Sequence, residues 1–347
     1  MTRERLVTIT LFLGLVHVAG AQENPEFRPL FNSNQLLELS IEGPLEQLTR
    51  ERRDRPELDG VVRYLDSDGN EVVLDVEISS RGNSRLDICN FPPMWLNFRR
   101  GQLPGTVFAG QNRLKLVTRC KAGNSYGDYL AQEYQIYRAY NALTDNSFRV
   151  RPLLINYVET EGKASTNVEF AFFIEEDWEV AERVGLELIK VTSLQVAQLD
   201  TMGAALLSLF QYMIGNTDWS PIAAPPGETC CHNTKLIGST DNEGGRVVLP
   251  YDFDQVGLIN AGYAMPPAGM EISSVTQRRY RGYCVLNADL DAAIQLLNER
   301  RSEVEAALSV PDVRARSARR LQRFLAKSYE YINDPRRVQR DLVDDCR

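Results

Sequence analysis

The sequence predicts an α+β protein of two lobes, a sheet-rich one over residues 22–177 and a helical one over residues 178–347. Three observations predict it. Before residue 177, short runs such as Leu74, Val76 and Ile78 alternate with polar residues, the period of a half-buried strand. Beyond it, apolar residues return in long stretches at helical spacing. Two polar islands, Gly215-Asn216-Thr217-Asp218-Trp219-Ser220 and Pro250-Tyr251-Asp252-Phe253-Asp254, each close a strongly hydrophobic run. Sheet first and helices second implies two layers of structure meeting at a cleft.

Residues 1–21 are expected to lie outside the fold. Arg3 and Arg5 form a basic start, Leu6–Val18 is apolar but too short to span a bilayer, and Ala19-Gly20-Ala21 is a small-x-small cleavage site. This is the pattern of a secretory signal peptide and predicts a secreted or periplasmic protein. No later run is apolar enough for a transmembrane helix in the mature chain. Losing Arg3, Glu4 and Arg5 moves the formal charge one unit beyond the −8 of the whole chain. An acidic chain without a basic block argues against nucleic acid as a partner.

Val61–Leu65 and Val72–Ile78 read as the arms of a hairpin around Asp68-Gly69. Asp66, Asp68, Asn70 and Glu77 imitate part of a calcium-binding EF-hand loop, but Glu71 stands where that loop needs glycine. Further strands are predicted at Met94–Phe98, Arg113–Cys120, Phe148–Val158 and Asn167–Ile174, with a helix over Asp128–Leu143 between them. That helix carries the stripe Leu130, Tyr134, Tyr137 and Leu143. In the second half, Leu194–Ile214 reads as a buried helix stopped by Gly215-Asn216. Thr234–Ile237 and Val247–Tyr251 read as short strands, with amphipathic helices at Asp289–Leu308 and Val313–Ile332.

Six cysteines in a chain with a secretory leader predict disulfides. Cys89 and Cys120 lie near strand ends and are expected to pair, with Cys231–Cys284 the next pair. The chain has two histidines, His17 and His232, which excludes a histidine-cluster metal site.

An acid after a helix, an Asn before a strand and an acid at the next strand's end follow the order used in phosphoryl transfer: catalytic base, metal-binding Asn, metal-binding Asp. Asp218, Asn233 and Asp252 occupy those places, with Asp254 an alternative or second metal ligand. Each of these residue types alone more often caps a helix or forms a turn. A phosphate-binding cation is also needed. The chain has six lysines. Of the three before the cleft, Lys163 sits in a turn and Lys121 at a strand end, which leaves Lys115 in mid-strand. Its expected partner is Glu133 on the following helix.

Several of these segments together resemble the spore-coat-protein-H (CotH) type of secreted atypical kinase. They are Ile78-Ser79-Ser80-Arg81-Gly82-Asn83-Ser84, Leu114-Lys115-Leu116, Tyr129 to Tyr134, Phe172 to Glu176, and the two polar islands in segment 215–258. The resemblance implies an atypical protein-kinase-like two-lobed fold, with ATP and Mg²⁺ or Mn²⁺ as cofactors. It also implies Asp218 as catalytic base, Asp252 as metal ligand, and a protein or small-molecule phosphoacceptor as partner. Two other readings stand beside it: a binding or scaffold protein of the cell envelope without turnover, and a hydrolase built on Asp218 and His232.

Overall fold

The structure is a computed structural model and describes residues 28–163, 166–225, 227–309 and 314–347. The proposed signal peptide lies outside the described residues. Seven strands close into a barrel: β1 Leu37–Gly43, β2 Leu58–Leu65, β3 Glu71–Ser80, β4 Met94–Phe98, β5 Arg113–Val117, β6 Val150–Glu159 and β7 Thr166–Ile174. Their order around the barrel is β1-β2-β3-β4-β5-β7-β6. All neighbours are antiparallel except β1 and β6, which run parallel from Leu37↔Leu153 to Gly43↔Glu159.

This closure overturns the expected kinase-like, two-lobed architecture. A sheet-rich kinase lobe is an open sheet with edges; here β1 bonds both β2 and β6, so the seven strands leave no edge. The sequence reading missed β1, the one strand that closes the ring. Its inward residues Leu39 and Ile41 join Val62, Leu74, Val76, Leu96, Leu116, Leu153 and Phe173 in a core inside the barrel. The β2–β3 turn is tied by the Asp66 carboxylate, which accepts from the backbone N–H of Asp68 and Asn70 at 2.9 and 2.8 Å. That local bonding suits a turn rather than a calcium loop.

Alternation along β7 serves two cores. Ala171 and Phe173 point into the barrel; Phe172 and Ile174 face outward against the long helix Asn124–Asn141. That helix begins four residues before the predicted Asp128 and ends at Asn141, two before the predicted Leu143, with Leu130, Tyr134 and Tyr137 of its stripe buried. The outer core continues into the helical region: Thr201–Ile214, Leu290–Glu299, Arg301–Ala307 and Ala315–Ile332. The first of these starts at Thr201 rather than Leu194, because the Asp200 carboxylate accepts from the Gly203 N–H and caps it there. The predicted helix Asp289–Leu308 is broken at Arg300.

A small antiparallel sheet lies among these helices: β8 Glu187–Leu188, β9 Thr234–Gly238 and β10 Val247–Pro250, in the order β10-β9-β8. Among the described residues no helix is long and apolar enough to cross a membrane. The cysteines pair as Cys89–Cys120, Cys230–Cys231 and Cys284–Cys346. The first pair is as expected. The expected Cys231–Cys284 pair does not form, because the C-terminal segment returns Cys346 to Cys284, with the Cys284 N–H bonded to the Arg347 carbonyl at 3.0 Å.

Candidate functional site

A cavity of about 430 Å³ opens between the barrel and the helical region, within the size range of small-molecule sites. Asp218, Asn233, Asp252, Asp254 and Glu133 all line it.

Local chemistry explains how each arrives. The helix Thr201–Ile214 ends at Gly215, whose φ of +69° is the left-handed C-cap that glycine adopts at least cost. A Cβ there would meet Phe324 at 3.1 Å and the Gly257 backbone at 3.3 Å, so the turn is also tightly covered. Asn216 then turns inward. Its amide donates to Gln211 at 3.0 Å and its carbonyl oxygen accepts from the Asp218 N–H at 3.0 Å. The neighbouring Trp219 is fully buried and anchors the segment.

Asp218 is held from two further sides. The His232 ring nitrogen Nε2 lies 2.7 Å from its Oδ1. The Asn233 amide donates to its backbone carbonyl at 2.7 Å and to Oδ2 at 3.2 Å. The hydrogen bond to Asp218 raises the His232 pKa above its ordinary value, against the opposing effect of burial. Pairing of Thr234 with Pro250 places Asn233 and Asp252 just beyond the same end of the small sheet. Both have left-handed backbone, φ +50° and +61°. Such conformations cost residues with a Cβ about 1–3 kcal/mol and concentrate at functional sites. The Asp252 N–H donates to the Tyr137 hydroxyl at 3.0 Å, which helps hold that strained position.

The cation that meets Glu133 is Arg85, not Lys115. The Arg85 guanidinium bonds both Glu133 oxygens, at 2.7 and 2.8 Å, and reaches Asp254 at 3.2 Å and Asp252 at 3.5 Å. Glu133 and Asp254 are almost fully buried, while Asp252 is more than a third exposed. Burial raises the Glu133 pKa, and Asp252 adds to the rise against the pull of Arg85. Burial also pushes Asp254 up to about 8, with Asp252 and Glu133 reinforcing it and Arg85 and the Tyr263 hydroxyl opposing it. Burial beside a second carboxylate therefore favours the protonated forms of Glu133 and Asp254, and Arg85 opposes it.

The expected Lys115–Glu133 pair does not form. Lys115 is buried, but its amine lies 3.4 Å from Glu176 and within 6 Å of the Trp95, Phe148 and Tyr251 rings. Lysine scarcity pointed to a residue that does not meet Glu133. Arginine supplies the forked donor that a carboxylate or phosphate accepts in pairs. Arg81 lies in the CotH-like segment Ile78–Ser84 and Arg85 directly follows it, four residues on, and that spacing was the available signal. Arg81 lines the same cavity, hydrogen-bonded to the Tyr251 hydroxyl and stacked 5.2 Å from Trp95.

The donor set bears on the expected metal. Among the described residues no group of three or more His, Cys, Asp or Glu side chains forms a cation cage. Asp254 lies 3.2 Å from the Arg85 guanidinium and is bonded to the Tyr263 hydroxyl, so as a metal ligand it would have to give up those contacts. Asp252 and Asn233 both line the cavity. One carboxylate and one neutral oxygen suit an ion such as Mg²⁺, which completes its shell with water and phosphate oxygens. The chain matches no protein-family model, and no curated protein matches it.

Proposed function

We propose that the chain is an extracytoplasmic phosphotransferase that moves phosphate from ATP, with Mg²⁺ or Mn²⁺, to a hydroxyl of a protein or small molecule. One observation carries the reading: Asp218, Asn233 and Asp252, from three separate elements, line one cavity, and Asn233 is hydrogen-bonded to Asp218. The proposal rests on this site and on the CotH-like motifs, and does not depend on a kinase fold.

Phosphoryl transfer needs mainly positioning and charge neutralisation. In this reading Asp218 accepts the proton of the acceptor hydroxyl. His232, at the carboxylate, and Asn216, which accepts from the Asp218 backbone N–H, hold the residue in place. Asn233 and Asp252 would hold the metal, which would supply positive charge to the phosphates. Arg81 and Arg85 supply the remaining positive charge from the barrel side, in the role first expected of Lys115. The leader-like first residues and the cysteine pairs support a secreted or periplasmic location.

A second reading, a binding or scaffold protein without turnover, is favoured by one observation. Lys115 is spent on Glu176, and Arg85 is already surrounded by carboxylates. Thermal shift with ATP, with and without Mg²⁺ or Mn²⁺, followed by labelled-phosphate transfer, separates the two. A metal-dependent shift with transfer that Asp218→Asn abolishes supports the phosphotransferase. A shift without transfer supports the scaffold, and no shift sinks the phosphotransferase.

A further inference from the structure

A second cavity, of about 470 Å³, lies at one end of the barrel. It sits where β1 and β6 finish, β7 begins and β5 gives way to Arg119–Lys121. The short helix Leu45–Arg50 plugs this end with Leu45 and Leu48, which belong to the barrel core. Barrel mouths of this size are common small-molecule sites.

The walls have a definite chemistry. Phe91 and Tyr157 meet edge to face, with ring centroids 5.0 Å apart, and give an aromatic floor. The Tyr157 hydroxyl is buried and has no hydrogen-bond partner among the described residues. Four cations, Arg50, Arg52, Arg119 and Lys121, and three acids, Glu46, Glu159 and Glu169, ring the floor. Two of the acids are already committed. Glu159 accepts backbone N–H groups of Glu46, Glu161 and Gly162 at 2.6–3.0 Å, and Glu169 is taken by Arg119 and Asn167.

Two of the cations are not. Arg52 donates to the carbonyls of Leu86 and Thr49, at 2.8 and 2.9 Å, and to no carboxylate among the described residues. Lys121 makes no ion pair among the described residues; its amine lies 6.0 Å from the Tyr126 ring. Against these two cations stands one acid whose side chain has no hydrogen bond or ion pair among the described residues, Glu46, so the uncommitted side chains are net positive and an anion is the complementary occupant, in a chain whose overall charge is −8. The rim is preorganised. The Cys89–Cys120 bridge joins its two loops, and the N–H groups of Asn90 and Phe91 both donate to the Cys120 carbonyl, at 2.9 and 3.2 Å. Preorganisation lowers the cost of binding.

We propose that this barrel mouth binds a small organic anion with an apolar body, an aryl or alkyl carboxylate. Its carboxylate sits between Arg52 and Lys121 and its body lies on Phe91 and Tyr157. The site is separate from the cavity that holds Asp218 and does not depend on any phosphoryl-transfer reading.

Calorimetry on the full chain with 3-phenylpropionate, and with its neutral counterpart 3-phenylpropan-1-ol, tests this. The acid binds one saturable site, and the alcohol binds about tenfold more weakly or worse, the loss of one charge-assisted contact. Arg52→Gln and Lys121→Gln each weaken the acid several-fold, leave the alcohol unchanged and leave any ATP-dependent thermal shift unchanged. Equal affinity for acid and alcohol, indifference to both substitutions, or no saturation by about 10 mM overturns the proposal. Arg52 also ties two carbonyls, so if Arg52→Gln fails to fold, Lys121→Gln, which breaks no ion pair of the described structure, decides.

Discussion

Replacing Arg85 with Ala removes the charge that Glu133 and Asp254 share. Arg85, Glu133 and Asp254 have side-chain exposures of 13, 4 and 8 %, so solvent screens these contacts little. Breaking a buried ion pair by removing one partner typically costs about 3–5 kcal/mol. Asp252, 38 % exposed, adds little to that figure. The cost should depend on pH. In the variant, burial without Arg85 raises both carboxyl pKa values further. The folded state then keeps protons that the unfolded chain releases above its ordinary carboxyl range. Stability therefore falls as pH rises from about 4 to 8, and each additional retained proton steepens the fall by about 1.4 kcal/mol per pH unit. Asp254, already raised to about 8, gives the wild type part of this slope. Urea denaturation of both proteins at pH 5, 6.5 and 8 measures the difference. A variant that matches wild type at pH 8, with the same slope, refutes the argument that Arg85 neutralises the buried acids.

Lys115→Met should destabilise the fold by about 3 kcal/mol, because it strands the buried Glu176 carboxylate. It should change metal-dependent nucleotide binding less than about threefold; a tenfold loss would return the phosphate role to Lys115. Asp252→Asn should abolish metal-dependent nucleotide shifts with little change in melting, and wild-type binding by that variant would remove Asp252 from the metal set. His232 has a raised folded pKa, so its pairing with Asp218 stabilises fully below its ordinary 6.5 and is lost as pH climbs through the raised value. His232→Asn should flatten stability across that interval, and an unchanged pH profile would contradict the pairing. Reducing Cys89–Cys120, whose residues are 31 apart, should cost roughly 3–4 kcal/mol by loop entropy, read as a drop in the urea midpoint of a Cys89→Ser, Cys120→Ser variant; an unchanged midpoint would show that the bridge adds nothing.

Strands whose apolar residues alternate were readable from sequence. Met94–Phe98 was bounded correctly, and Leu74, Val76 and Ile78 do point into one core. Barrel closure was not readable. β1 alternates as well, at Leu37, Leu39 and Ile41, but it pairs in parallel with a strand far along the chain and no turn between them advertises the match. At the cavity, Asp218, Asn233 and Asp252 were visible because each ends an element at a glycine, asparagine or strand terminus. The cation was not, because which basic side chain meets Glu133 depends on where residues 81–85 travel after β3, a tertiary fact. The same holds for Cys346, whose pairing follows the path of the last residues. The cavity at the barrel mouth left no local pattern at all: its walls come from five separated stretches of chain.

The parallel seam between β1 and β6 also sets a folding order. Contacts between distant parts of a chain form late, since loop closure must come first. The hairpin of β2 and β3 can form from neighbours, and the strands to β5 can extend it, but β1 gains its second partner only after residues 150–159 are present. Until then β1 and its neighbours have exposed edges, which are templates for mispairing with other chains. A chain emerging vectorially from its N-terminal end passes through that open stage, and the ring seals only once most of the barrel sequence has been delivered.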